Sequence, residues 1–195
     1  NVGDVIETGV IIRNSEVGWG SCSIQLFVHR LVCTNGMVVP DKIWSARKNH
    51  SGVRLESDAS GLIVSPQTQK LENELFFSAF VDVIEAARSP DTVEKIVQRF
   101  TDAKNDKMTK SQTSVPAVQK LAKTLLITEA EQSDLIQHFF ADGEMNRWGF
   151  ANAITRTAQD AQSYERATEL EKIGGNVIAM TDKAFSRMSN YAVEA

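Results

Sequence analysis

Hydrophobic and polar positions follow two different periods along this chain, and the change falls near residue 60. From Val5 to about Val39 the apolar residues are largely β-branched and come in short runs, broken at Asn14-Ser15 and at Gly18-Trp19-Gly20, where turn chemistry concentrates. Val5 to Ile12 predicts a first strand. Cys22, Ile24, Leu26 and Val28 then alternate with Ser23, Gln25, Phe27 and His29, the period of two of a strand with one buried face. Asn35-Gly36, set between Val32-Cys33-Thr34 and Met37-Val38-Val39, predicts a tight hairpin, because both central residues of a type I′ turn need positive φ. Pro40 ends that strand, having no N–H for a ladder. Another strand is expected to begin at Ile43-Trp44-Ser45-Ala46, and Val53-Arg54-Leu55 reads as a strand end or a loop.

Past the Ser-, Gly- and Pro-rich stretch from Asp58 to Pro66 the spacing becomes helical. Leu71, Leu75, Phe76, Phe80, Val83, Ile84 and Ala87 recur at mostly three- and four-residue steps, which predicts one broad buried face on a helix from about Gln67 to Arg88. Ser89-Pro90 closes it and starts the next, with Ser89 as N-cap, Pro90 at the first helical position, and Val93, Ile96, Val97 and Phe100 as the stripe. Lys104 to Ser114 carries Met108 as its one apolar residue and predicts a mobile surface loop. A short helix is expected around Pro116 to Leu126. Thr128 and Glu131 have capping-box spacing, opening a helix with Leu135, Ile136, Phe139 and Phe140 that closes at Asp142-Gly143. Asn146 caps a helix through Trp148, Phe150, Ala151, Ile154 and Ala158. Ser163 starts one expected to stop at Gly174-Gly175, and a last helix covers about Val177 to Tyr191.

Strands first and helices after define an α+β fold, an antiparallel strand-rich part (1–60) packed against five or six helices (61–195) in one integrated domain. Asn1 is not an initiator and a strand follows at once, so a preceding segment is expected. The start lacks the basic and apolar stretches of a signal peptide, and no apolar run reaches a membrane-spanning length, which points to a cytoplasmic chain without a membrane partner. The 195 residues are enough for a real core without disulfides or a structural metal. Two cysteines and three histidines give no zinc pattern, and no D-x-D or E-x-x-H arrangement or phosphate-binding loop occurs, so neither metal nor cofactor is implied. The net charge of −4 is uneven, with balances of zero over 1–60, +1 over 61–127 and −5 over 128–195. A phosphate-bearing partner therefore prefers the strand-rich half.

Three ordered motifs carry a family resemblance. The stretch Asn14-Ser15-Glu16-Val17-Gly18 through Arg30-Leu31-Val32-Cys33-Thr34-Asn35-Gly36-Met37, the segment Arg47-Lys48-Asn49-His50-Ser51-Gly52, and Arg147-Trp148-Gly149-Phe150-Ala151-Asn152-Ala153-Ile154-Thr155 together resemble the phage/plasmid-like proteins of domain of unknown function 932. The resemblance spans about Gly9 to Thr155 and implies a setting on phages, plasmids or integrated elements, with no activity established and an additional N-terminal region. Relatives often continue the helix motif into Asp-His. Here Thr155 is followed by Arg156-Thr157-Ala158-Gln159-Asp160, so no role for a histidine carries over.

Lys42, Arg47, Lys48, His50 and Arg54 cluster around Trp44, with Asp41 and Glu56 the only nearby acids, and Arg30 precedes them. Cations that neutralise phosphates, interleaved with a ring that stacks on bases, are what single-stranded nucleic acid needs. The competing reading is a solvated strand edge on which Lys and Arg discourage aggregation. Cys33 beside His29 suggests a nucleophile and base, but no third group orients them, and a thiol in an apolar strand reads as a small hydrophobe. Asn35 fits left-handed turn geometry. Trp148, Asn152 and Thr155 share a helix face, as buried, internally bonded groups or as partner-facing ones. The expectation is a non-enzymatic accessory protein that contacts DNA, single-stranded in preference to double-stranded. The alternative is an interaction module that uses the C-terminal helices, and a homo-oligomer is compatible with either.

Overall fold

The computed structural model describes residues 6–14, 21–30, 36–38, 45–49 and 65–194. It shows an α+β fold, four strands followed by seven helices among the described residues. β1 (Ile6–Arg13) and β2 (Ser21–Arg30) form an antiparallel pair running from Ile6 opposite Arg30 to Arg13 opposite Ser23. The other edge of β2 is shared end to end. β3 (Gly36–Val38) pairs with Phe27–His29, and β4 (Ser45–Asn49) pairs with Ser21–Gln25. The reversal into β3 is wider than the expected two-residue turn. A turn centred on Asn35-Gly36 would set Met37 against Thr34, whereas Met37 lies opposite Val28 and Val38 opposite Phe27, because β2 continues to Arg30 along β1. Asn35 itself lies outside the described residues, as does Val53-Arg54-Leu55.

The helices are α1 (Pro66–Arg88), α2 (Pro90–Asn105), α3 (Val115–Thr124), α4 (Glu129–Asp142), α5 (Arg147–Thr157), α6 (Tyr164–Ala179) and α7 (Asp182–Glu194), with a 3-10 turn at Ala158–Asp160 after α5. Thr128, Asn146 and Ser163 start their helices as the sequence predicts, Ser65 caps α1 two residues before the expected start, and Ser89 stands at the N-cap of α2 without a side-chain cap bond. Ser65 accepts from Thr68 N–H, Thr128 and Glu131 form the reciprocal capping box, Asn146 accepts from Gly149 N–H at 2.7 Å, and Ser163 accepts from Arg166 N–H. Gly143 closes α4 in the left-handed region at φ 68°.

Ile24 and Leu26 are fully buried on one face of β2, and Thr8, in β1, donates to the Ala87 carbonyl of α1. The main core joins Leu26 to Ile96 and Phe100 of α2, Val118 and Leu121 of α3, Leu135 and Phe139 of α4, Phe150 and Ile154 of α5, Leu170 and Val177 of α6, and Phe185 of α7. α5 is buried nearly all round. Phe150 meets Phe139 edge to face at 5.9 Å and Phe185 at a tilt at 6.2 Å.

Three expectations are corrected. α6 runs through Gly174-Gly175 to Ala179, because Gly174 sits where α5 passes: a Cβ there would lie 2.6 Å from Thr155 Cγ2 and 3.2 Å from the Ala151 carbonyl. Gly174 serves close helix packing, and the pair is not a stop. The segment after α2 is tied down, since Lys107 bridges Asn146, Met108 N–H donates to Met145 C=O, and the buried Gln112 amide donates to Ser189 and Asn190 of α7. Its polar side chains find partners inside the protein. On α1 only Val83 is buried. At about 100° per residue, Phe76, Phe80, Val83, Ile84 and Ala87 share one face, whereas Leu71 and Leu75 lie about 120–160° from its centre.

Candidate nucleic-acid interface

Arg13 closes β1 and lies opposite Ser23 of β2, which lies opposite Arg47 of β4, so the three occupy one cross-strand row on the same face of the sheet. Side chains of neighbouring strands in such a row stand about 5 Å apart, which puts Arg13 and Arg47 about 10 Å apart at their backbones. α6 supplies the third wall. The Arg13 guanidinium donates to Thr168 Oγ1 at 2.7 Å and lies 5.2 Å from the centre of the Tyr164 ring. Tyr164, Thr168 and Lys172 follow at four-residue steps, one above another on the helix.

The electrostatics define the spot further. The Lys172 ammonium is pushed below the ordinary lysine range, first by burial and then by the positive charges of Arg13 and Arg47, with Glu169 acting the other way. Glu171 is pushed above the carboxylate range by burial, against the attraction of Arg13. Three cations from β1, β4 and α6 therefore feel one another. Among the described residues, two buried polar atoms on this sheet face have no hydrogen-bond partner: Nε of Arg13, and Oε1 of Gln25 one row along. Ser23 is buried in the middle of the row, and Tyr164 is 65% exposed. The arrangement offers cations for an anionic group, with an accessible ring alongside.

The residues predicted from sequence divide. Lys42, Trp44, His50 and Arg54 lie outside the described residues. Arg47 and Lys48 are adjacent on β4, positions that belong to opposite faces of the sheet, and Arg47 is exposed. Arg30 stands at the far end of β2, seven residues from the Ser23 row, or about 23 Å at strand rise. Register thus separates Arg30 from Arg47. Sequence reasoning missed Arg13, Tyr164, Thr168 and Lys172; the position of Arg13 before Asn14-Ser15 marks a strand end, but its row is set by pairing with β2.

Trp148, Asn152 and Thr155 are buried in α5. Trp148 packs edge-on against Phe100 at 5.1 Å, Asn152 donates to Asp142 at 3.3 Å, and Thr155 donates to the Asn152 carbonyl at 3.0 Å. Their partners are the protein's own groups. Cys22 is a free, half-buried thiol, and Cys33 lies outside the described residues. Among the described residues no group of three His, Cys, Asp or Glu side chains is arranged to hold a metal ion, and no helix is long and apolar enough to cross a membrane.

Set against family models, curated proteins and solved structures, the chain matches none.

Proposed function

We propose that this chain is a non-enzymatic accessory protein that holds single-stranded DNA at the rim where β1 and β4 meet α6, with Arg13, Arg47 and Lys172 on phosphates and Tyr164 beside the bases. The observation that carries this reading is the convergence of three cations from separate elements, close enough for the two arginines to weaken proton binding at Lys172. Cations of like sign repel, and a polyanion relieves that repulsion. The mobile-element setting rests on the three sequence motifs alone.

Fluorescence anisotropy with a labelled oligothymidylate tests the reading. Neutralising about three phosphates on a single strand gives a salt slope near −2, so affinity falls about 15–20-fold between 50 and 200 mM salt. Arg47→Glu reverses an exposed charge and lowers affinity at least tenfold. Absence of binding at 50 mM salt, or binding that Arg47→Glu leaves unchanged, refutes the assignment.

A second reading is favoured by one feature of the helical part. Thr124, Leu125 and Leu126 at the end of α3, with Ile173, Asn176, Ala179 and Met180 of α6, line an open, largely apolar groove of about 500 Å³. A protein segment seated there would bind with little salt dependence, which separates the two readings.

A further inference from the structure

Glu171 belongs to the cationic rim but carries the opposite charge, and nothing said so far gives it a task. Along α6 the rim is built on Tyr164, Thr168 and Lys172, and Glu171 completes the i, i+4, i+7, i+8 spacing of one helix face. At about 100° per residue it lies about 60° to one side of Thr168, with Lys172 about 40° to the other. Thr168 fixes Arg13, accepting from its guanidinium at 2.7 Å. Residues three apart on a helix are surface neighbours, so Glu171 stands beside the charge that Thr168 anchors. Arg13 is therefore held between an acid and a base of one helix, both half-buried.

Burial raises the Glu171 carboxyl above the ordinary carboxylate range, and the pull of Arg13 opposes that rise. The other charges around α6 have their own partners. Arg47 acts on Lys172, and Glu169 is bonded to Arg166 at 2.8 Å. Of the remaining elements packed on α6, β3 carries Gly36, Met37 and Val38, which do not titrate, and α2 turns Ile96, Phe100 and Ala103 to the core. Arg147 and Arg156 of α5 are bonded to Asp106, Asp182 and Asp142, and Asp160 of the 3-10 turn lies 4.0 Å from His138.

We propose, on the strength of the anion-binding rim assigned above, that Glu171 is the rim's internal counter-charge: its carboxylate answers Arg13 in the free protein, and a phosphodiester takes over that role as Glu171 takes up a proton from solvent. A second negative charge at Arg13 makes an ionised Glu171 harder to keep, so protonation and binding favour each other. Affinity therefore rises as pH falls toward the titration range of Glu171, which burial has moved above that of an ordinary carboxylate. For like charges about 7 Å apart, at an effective dielectric of about 20–80, the repulsion alters affinity by about threefold to fiftyfold.

Isothermal titration of the whole chain with oligothymidylate at about 50 mM salt, in two buffers of different ionisation enthalpy, reads affinity and proton uptake together. Phosphodiesters stay ionised throughout, so the protons counted belong to the protein. Sucrose octasulfate serves as a second polyanion that has no bases. The wild type binds more tightly as pH falls from about 7 to about 5 and takes up a fraction of a proton per site. Glu171→Gln binds both anions at least about threefold more tightly at neutral pH and loses that uptake. Asp134→Asn removes an exposed charge on α4; it changes affinity by less than about twofold and keeps the uptake, which separates place from net charge. Equal or weaker binding by Glu171→Gln overturns the proposal, weaker binding being the mark of a carboxylate that positions Arg13. Proton uptake unchanged in Glu171→Gln overturns it too. Sucrose octasulfate bound without oligothymidylate, with the Glu171→Gln gain intact, refutes the nucleic-acid reading and leaves the counter-charge standing. Neither anion bound by either protein sinks both.

Discussion

Arg147 is the largest fully buried side chain among the described residues, 1% exposed, and its guanidinium holds three parts of the helical core together. It donates to Asp106 Oδ2 at 2.9 Å, the Ile178 carbonyl at 3.0 Å, the Met180 carbonyl, and Asp182 Oδ1 at 2.6 Å. Asp182 is largely exposed, so that bridge contributes little. The contact with Asp106 is different, because that carboxylate is mostly shielded and its pKa is raised by burial despite the opposing pull of Arg147. Arg147→Met leaves a buried carboxylate and two carbonyls without their donor, and should cost about 3–5 kcal/mol. For a chain of this size that is a fall in Tm of about 6–20 °C. Removing both partners, Arg147→Met with Asp106→Leu, should cost much less than Arg147→Met alone, since no buried charge is then stranded. Urea unfolding followed by far-UV circular dichroism gives the cycle, with a coupling of at least about 2 kcal/mol expected. The pH dependence has a fixed sign. A carboxyl whose folded pKa is raised adds stability fully present below its unfolded pKa and lost as pH rises through the folded value. The penalty of Arg147→Met should therefore shrink as pH is lowered from 7 toward 4. A single-variant cost below about 1 kcal/mol, or additive single costs, would refute the account of Arg147 as the tie between Asp106 and the α6–α7 junction.

Four further outcomes are expected. Gly174→Ala drives a Cβ to 2.6 Å from Thr155 Cγ2, so the strain outweighs the gain in helix propensity and stability falls by about 1–2 kcal/mol; Thr155→Ser, which removes that methyl, should recover part of it in thermal melts. Leu126 has φ 59° and is 82% exposed, so Leu126→Gly should be neutral or raise stability by up to about 1 kcal/mol, and a loss of that size would show that the side chain packs. The Arg166 guanidinium lowers Glu131 from 4.5 to about 2, which makes its contribution present above pH 4.5 and lost as pH falls toward 2; screening reduces the full shift to about 1–2 kcal/mol, and Arg166→Gln should flatten that acid limb of the stability curve. Lys172 is depressed by burial and by Arg13 and Arg47, so a bound polyanion raises its proton affinity; oligonucleotide affinity should fall as alkaline pH strips that proton, a decline that Lys172→Arg abolishes and that a flat wild-type profile would contradict.

What could be read from the sequence was whatever local chemistry decides. Thr128, Asn146 and Ser163 bond N–H groups three residues ahead, and each start is visible in a short window. Gly174-Gly175 misled for the same reason: a glycine pair looks like a helix end until the crossing helix that requires it is known. The polar stretch after α2 looked unanchored because the groups that satisfy Gln112, Ser189 and Asn190, lie in the last helix. The candidate rim was half legible. Arg47 stood out in a basic run, but its neighbours Arg13 and Lys172 are 34 and 125 residues away in sequence, and strand register with helix docking decides that they meet.

α6 links the two halves of that problem. Its glycine at 174 lets it press against α5 in the centre of the core, while Tyr164, Thr168 and Lys172 face the end of β1. Rotating α6 by one residue, about 100°, would take all three away from Arg13 and would also move Gly174 off Thr155. The contact that makes the core close is thus the contact that sets the rim. A bulkier residue at 174 has two effects in consequence: it strains the α5–α6 crossing, and it shifts the lysine that must approach Arg13 and Arg47. Core packing and the cationic surface are coupled through one rigid helix, so a change at a buried glycine should be felt at a charged edge it does not touch.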